Sequence, residues 1–120
     1  MTIQALIDTY YAGLARRDGW EQTIAEDFTF TGAAPNRVSR GKASYVEAVR
    51  RYARIFETVT PGRAIVNGAT ACVIATYGLV SPSGKTMRID IAEVWTAENG
   101  LLKSLAIYYD TETFNAFVAA

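Results

Sequence analysis

Histidine is absent from this chain, cysteine occurs once, and the charges cancel, with twelve Lys plus Arg against twelve Asp plus Glu in 120 residues. Each shortage excludes something. Without histidine, the commonest general base and the commonest metal ligand are gone. Proton transfer then falls to carboxylate, tyrosine, cysteine or lysine, and no metal or other cofactor is expected. The lone Cys72 cannot close an internal disulfide, which argues against a stapled secreted scaffold and for a cytoplasmic location. Zero net charge leaves no electrostatic footprint for nucleic acid or an anionic membrane. The N-terminal stretch MTIQALIDTYYAGLARRDGW carries an acid early and has no long apolar run, so neither a signal peptide nor a membrane span is expected. There is no internal repeat and no low-complexity segment. Half of the residues are hydrophobic, and residues 1–120 read as one domain able to bury a core.

What is present is organised around the stretch from Met87 to Asp110. Both arms alternate with strand period, and Asn99-Gly100 supplies the left-handed backbone of a tight hairpin. A two- or four-residue loop there sets Glu93 opposite Ala106, Ile91 opposite Tyr108 and Trp95 opposite Ser104. One face then carries Ile89, Ile91, Glu93, Trp95, Leu102, Ser104, Ala106 and Tyr108, an apolar wall with a single carboxylate. Such a group either titrates high or has a partner, Arg63 being one choice, and it is the first site candidate. A two- or four-residue turn at Pro82-Ser83 adds Cys72, Ile74 and Thr76 to this face. The opposite face, with Val73, Ala75, Tyr77, Ala92, Val94, Leu105, Ile107 and Tyr109, is more than three helices can cover. It predicts a homodimer through the outer sheet face. Asp90 points away from Glu93 by strand parity.

Ahead of the sheet, Ile3, Leu6, Ile7, Tyr10, Tyr11 and Leu14 recur at helical spacing over Thr2 to Arg17. Asp18-Gly19-Trp20-Glu21 reads as a capping box opening a short second helix. Phe28 to Thr31 alternates as a strand, and residues 32–36 form a loop. A third helix from about Lys42 to Glu57 presents Val46, Val49, Ala53 and Phe56 on one side, with Arg50, Arg51 and Arg54 on a solvated face. Strands follow at Arg63 to Asn67 and Thr70 to Val80. A final short helix begins near Asp110 or Thr111, either of which can cap it.

Three helices with a short strand between the second and third, then a long meandering sheet, resemble the nuclear transport factor 2-like, or SnoaL-like, superfamily. The likeness rests on IDTYYAGLARRDGW, on FTFTGAAPNRVSRGKASYVEAV with Gly41 ahead of helix three, and on AEVWTAENGLLKSLAIYYD. It implies an α+β fold, a cone-shaped barrel with three N-terminal helices packed in a curved antiparallel sheet, and an apolar pocket. Function varies widely on this fold. Matched to ketosteroid isomerase, the helix-one tyrosine falls on Tyr10 and the oxyanion-hole acid on Glu93. The general-base position falls on Gly32, and a supporting tyrosine falls on Val49. SnoaL-type polyketide cyclases place an acid/base aspartate at the position matching Glu93. Epoxide hydrolases of the family pair aspartates around an arginine without a clear counterpart here, and scytalone-type dehydration needs histidines.

The resulting expectation is a pocket for a small hydrophobic, carbonyl-bearing ligand, with cofactor-independent isomerase, cyclase or lyase chemistry as one reading. Glu93 and Tyr10 are the candidate catalytic residues, Tyr10 either donating to a ligand oxygen or filling the helix–sheet interface. Candidate lining residues are Trp20, Phe30, Val49, Phe56, Cys72, Ile91, Trp95 and Tyr108. The rival reading is a non-catalytic module for ligand capture, dimerisation or assembly.

Overall fold

A computed structural model describes residues 1–33 and 37–119. Helix α1 (Ile3–Arg16) opens on Thr2, whose side chain accepts from the Ala5 amide, and buries Ile3, Leu6, Ile7, Tyr10, Tyr11 and Leu14 along one face. Arg17 ends it in the left-handed conformation, at φ 62°. The chain then doubles back tightly, and a Cβ on Gly13 would lie 2.7 Å from the Trp20 amide nitrogen. A 3-10 turn (Trp20–Thr23) follows, entered through Gly19 at φ 81° with no side-chain cap bond. The expected Asp18/Glu21 capping box therefore does not form. A one-turn 3-10 segment started by a left-handed glycine does not present the amide geometry that such a box bridges.

Strands β1 (Ile24–Thr31) and β2 (Val38–Arg40) pair antiparallel ahead of α2 (Lys42–Tyr52). The loop expected at 32–36 lies partly outside the described residues. Helix α2 stops five residues short of the expected Glu57. Phe56 instead begins β3 (Phe56–Pro61), an edge strand paired with β5, where Phe56 and Val59 are buried. Its run of Thr58, Val59 and Thr60 favours extended backbone, and sheet pairing prevails over the helical spacing of Phe56. Then come β4 (Ile65–Asn67), β5 (Thr70–Val80), β6 (Thr86–Glu98), β7 (Leu101–Tyr108) and α3 (Thr111–Ala119). Asp110 caps α3, accepting from the Thr113 amide at 3.0 Å.

The sheet runs β2-β1-β7-β6-β5-β3, with β4 on β5. It is curled, unclosed and mixed, because β1 lies parallel to β7 while the other pairs are antiparallel. The helices fill its concave side, giving the cone-shaped α+β fold expected from the sequence. Trp95, Phe28, Leu6, Ile24, Leu79, Leu102 and Val73 are fully buried at its centre, each such side chain contributing about 1.5–3 kcal/mol. No helix among the described residues is long and apolar enough to cross a membrane.

Two registers differ by one residue from those expected. The β5–β6 loop spans residues 81–85, because Val80 pairs with Thr86, and this sets Val73 rather than Cys72 opposite Glu93. The β6–β7 turn is the expected two-residue loop, with Asn99 at φ 54° and Gly100 at φ 78°. A bulge follows at once. Ala97 pairs with Leu102 but Thr96 with Ser104, leaving Lys103 as an extra residue and putting Ile107 opposite Glu93. A one-residue shift reverses every side chain beyond it.

Candidate functional site

The β6 parity survives both shifts, so Ile89, Ile91, Glu93 and Trp95 all point into the cone. Their neighbours change. Val73, Ala75 and Tyr77 face inward from β5, and Leu102 and Leu105 from β7. Cys72, Ile74 and Tyr108 lie on the outer face, Ile74 being 48% and Tyr108 60% exposed. Cys72 and Tyr108 are thus removed from the expected pocket lining, and the reason is the five-residue loop and the Lys103 bulge.

Glu93 is 5% exposed and has no cationic partner among the described residues. Both ion pairs among the described residues, Arg51 with Glu47 and Lys103 with Asp27, are elsewhere, and Arg63 is exposed. The carboxylate is held by hydroxyls instead. Tyr11 donates to Oε1, and Tyr77 lies 3.0 Å from Oε2 and 3.2 Å from Oε1. The Trp95 indole N–H in turn donates to the Tyr11 oxygen at 3.1 Å. Burial pushes the Glu93 carboxyl up to about 7, with the Tyr11 and Tyr77 bonds pulling the other way. Burial and the nearby carboxylate push both tyrosines well above their ordinary value, so they remain protonated donors.

Tyr10, the residue expected beside Glu93, turns to Tyr45 on α2, their hydroxyls 2.5 Å apart. Tyr10 and Tyr11 both sit on the buried face of α1, and one step around the helix decides which reaches the carboxylate. Tyr11 is therefore the helix-one partner of Glu93, and Tyr10 packs into the helix–sheet interface, one of the two roles expected for it. Trp20 stands edge-on to Tyr10, ring centres 5.9 Å apart, and Tyr10 packs on Trp95 at 4.6 Å. Phe30 packs against Tyr45 at 5.3 Å, and Val49 is half-buried against the same core. Phe56 is buried against Tyr77 at 5.7 Å, and Ile91 opposite Ala75. Of the expected residues, Glu93, Tyr10, Trp20, Phe30, Val49, Phe56, Ile91 and Trp95 come to the cone interior.

Tyr45, Tyr52 and Tyr77 were not among the expected site residues. Tyr45 and Tyr52 are seven apart on α2, a helical repeat the sequence displays but which the valine spacing outweighed. Tyr77 comes inward because the β5–β6 loop spans five residues, where the shorter turn would leave it on the outer face. Tyr52 is unusual: its buried hydroxyl has no hydrogen-bond partner among the described residues, a cost of about 1–3 kcal/mol. On the other side of the site, a groove of about 540 Å³ between α1 and the β3–β4 connection is lined by Ile7, Asp8, Tyr11, Val59 and Arg63, among others. Tyr11 thus stands between this groove and Glu93. Among the described residues no three His, Cys, Asp or Glu side chains gather as a metal-ligand set.

Residues 7–105 match the family model described as a SnoaL-like domain. Similar solved structures include TerC co-crystallised with polyporic acid, at 20% identity and TM-score 0.84, covering 98% of each chain. A nuclear transport factor 2-like protein of unknown function from Burkholderia pseudomallei matches at 19% identity and TM-score 0.85, covering 98% of this chain and 97% of its own. The epoxide hydrolase/cyclase-like enzyme SalBIII, described in pyran ring formation in the polyether salinomycin, matches at 17% identity and TM-score 0.81, with 91% of each chain covered. At these identities the likeness is one of fold. No curated protein matches the sequence.

Proposed function

The chain belongs to the SnoaL-like domain family, and on that premise we propose that it transfers protons, without a cofactor, on small, largely apolar, carbonyl-bearing ring compounds. The observation that carries this reading is a buried carboxyl held by two tyrosine hydroxyls, with no cation paired to it among the described residues and its pKa raised to about 7. Near neutral pH such a group is present in both protonation states, as an acid/base catalyst requires. Ionised Glu93 removes a proton from the carbon next to the carbonyl, and the substrate oxygen takes over the Tyr11 hydrogen bond as negative charge develops on it. With a β,γ-unsaturated ketone the anion is a dienolate, and Glu93 returns the proton to its γ-carbon, completing an isomerisation. In ring closure the enolate carbon bonds to a second carbonyl carbon of the same molecule, and the alkoxide so formed takes the proton from Glu93. The pyran-ring-forming context of SalBIII and the co-crystallisation of TerC with polyporic acid support a small-molecule substrate by analogy of fold.

The test is deuterium exchange at the carbon next to the carbonyl, followed by NMR in heavy water across a panel of cyclic ketones and 1,3-diketones. Wild-type protein should accelerate exchange of at least one compound, and Glu93→Gln should still bind it while losing the acceleration. Equal exchange with the two proteins would sink the enzyme reading.

A specific observation favours a second reading, that of a non-catalytic ligand-binding or assembly module. Tyr10, Trp20 and Trp95 are packed edge to face and buried, filling the cone beside Glu93. Under either reading we propose a homodimer through the outer sheet face, supported by Ile74 and Tyr108 with half-buried Cys72, Val94 and Ala106 around them. A single domain over residues 1–120 and a cytoplasmic location, resting on the lone cysteine, complete the proposal.

A further inference from the structure

The Tyr52 hydroxyl is the one buried side-chain polar atom among the described residues that lacks a hydrogen-bond partner. Phenylalanine would fill the same space without that cost, so the oxygen needs another explanation. Its surroundings supply one. The Tyr52 ring packs on Tyr77 at 5.5 Å, and Tyr77 donates to Glu93. Burial first, and then the Glu93 carboxylate, hold the hydroxyl well above its ordinary pKa, so it stays a protonated donor. The ring also meets Phe114 of α3 at 6.2 Å, and Phe114 stands edge-on to Tyr109 at 5.4 Å. A continuous aromatic path thus runs from the carboxylate through Tyr77 and Tyr52 to α3.

Helix α3 is attached in a way that suits a door. Its side-chain hydrogen bonds, among the described residues, join Asp110 to Thr113 within its own first turn. Phe114, Phe117 and Val118 hold it to the body by apolar contact alone, and residues 109–110 ahead of it are outside regular structure. Among the described residues no hydrogen bond joins α3 to the sheet, so lifting α3 costs apolar contact only and removes Phe114 from the Tyr52 ring.

We propose that Tyr52 is a ligand-contacting, specificity-determining residue of the Glu93 site, and that a planar ring compound with two oxygen functions enters beneath α3 and hydrogen-bonds to Tyr52 and to the Glu93–Tyr11 pair. This rests on the proposed function and adds a second polar contact and a route of entry.

The test uses two fluorescent probes, 2,6-dihydroxynaphthalene with two hydroxyls and 2-naphthol with one, titrated against the full chain. Tyr52→Phe should weaken the dihydroxy probe about tenfold and leave 2-naphthol within about twofold, because it removes one hydrogen bond that only the first probe makes. Its unliganded melting temperature should be unchanged or higher, since the lost atom has no partner. Glu93→Gln should weaken both probes. In stopped-flow mixing, Phe114→Ala should raise the association rate of both probes several-fold. If Glu93→Gln weakens both probes but Tyr52→Phe treats them alike, or Phe114→Ala leaves association unchanged, this inference falls while the proposed function stands. If neither probe binds, or neither senses Glu93→Gln, this inference falls as well, and the proposed function is decided separately by the deuterium-exchange comparison of wild type with Glu93→Gln.

Discussion

A carboxyl whose pKa stands near 7 in the folded chain, against 4.5 in its ordinary range, makes stability depend on pH. Between those values the folded protein holds a proton that the unfolded chain has released. The contribution is therefore fully present below about pH 4.5, declines as pH rises through the window, and is lost above about pH 7, a change on the order of 3 kcal/mol. Glu93→Gln should flatten this part of the profile and be more stable than wild type at pH 8, as urea unfolding at pH 5 and pH 8 would show. An unchanged slope would mean that Glu93 is not the group responsible. Tyr11→Phe acts in the opposite direction on the same group. It removes a bond to ionised Glu93 and strands the Trp95 N–H, so it should cost about 1–3 kcal/mol and raise the Glu93 pKa further, measurable by NMR of the carboxyl carbon. At this scale the sequence disclosed Glu93 because strand parity within one arm is local, and the structure chose Tyr11 over Tyr10 because the choice depends on how α1 is rotated against the sheet.

Elements are positioned by a few close approaches. The chain after α1 crosses the helix so closely that a Cβ on Gly13 would meet the Trp20 amide nitrogen at 2.7 Å and the Asp18 carbonyl oxygen at 2.9 Å, both of them backbone. Neither can step aside as a side-chain tip would. Gly13→Ala should therefore destabilise by about 1–3 kcal/mol despite its better helix propensity, and should displace Trp20. Near-UV circular dichroism and thermal melting would test this, and a variant as stable as wild type would refute the close approach. Arg17 holds the same corner from the other side, donating to the Ala53 and Phe56 carbonyls at 3.1 and 2.6 Å with its guanidinium over the Phe56 ring. The Lys103 bulge is the element-scale feature that most changed the site. It turns Leu105 and Ile107 inward and Ala106 and Tyr108 outward, while the Lys103 ammonium pairs with Asp27 on β1.

Across the whole molecule, one side of the sheet is covered by helices and the other is left with apolar residues in view. Ile65 on β4, 71% exposed and paired with Cys72, extends the patch around Ile74 and Tyr108. Burying it between two copies is the simplest way to remove that surface from water. Sedimentation velocity should find a dimer, and Ile74→Asp should shift it to monomer without loss of the fold, because the side chain makes no part of the core. A wild-type chain that stays monomeric as its concentration rises would retire the dimer.

The amino-acid sequence by itself determined the amphipathic α1, the strands β5 to β7, the Asn99-Gly100 turn, the cap of α3 and the inward direction of Glu93. All of these follow from periods of two or 3.6 and from residues next to one another in the chain. It also displayed the order of elements by which the SnoaL-like fold was expected. Only the tertiary structure decided the partners of Glu93, the faces of Cys72 and Tyr108, the early end of α2 at Tyr52 and the identity of β3. Each of these turns on where a second segment lies. A five-residue loop and one extra residue at Lys103 leave the alternation within each strand untouched while reversing one strand against its neighbour. Pairing between strands distant in sequence, and the space left for the helices above them, settled what local pattern left open.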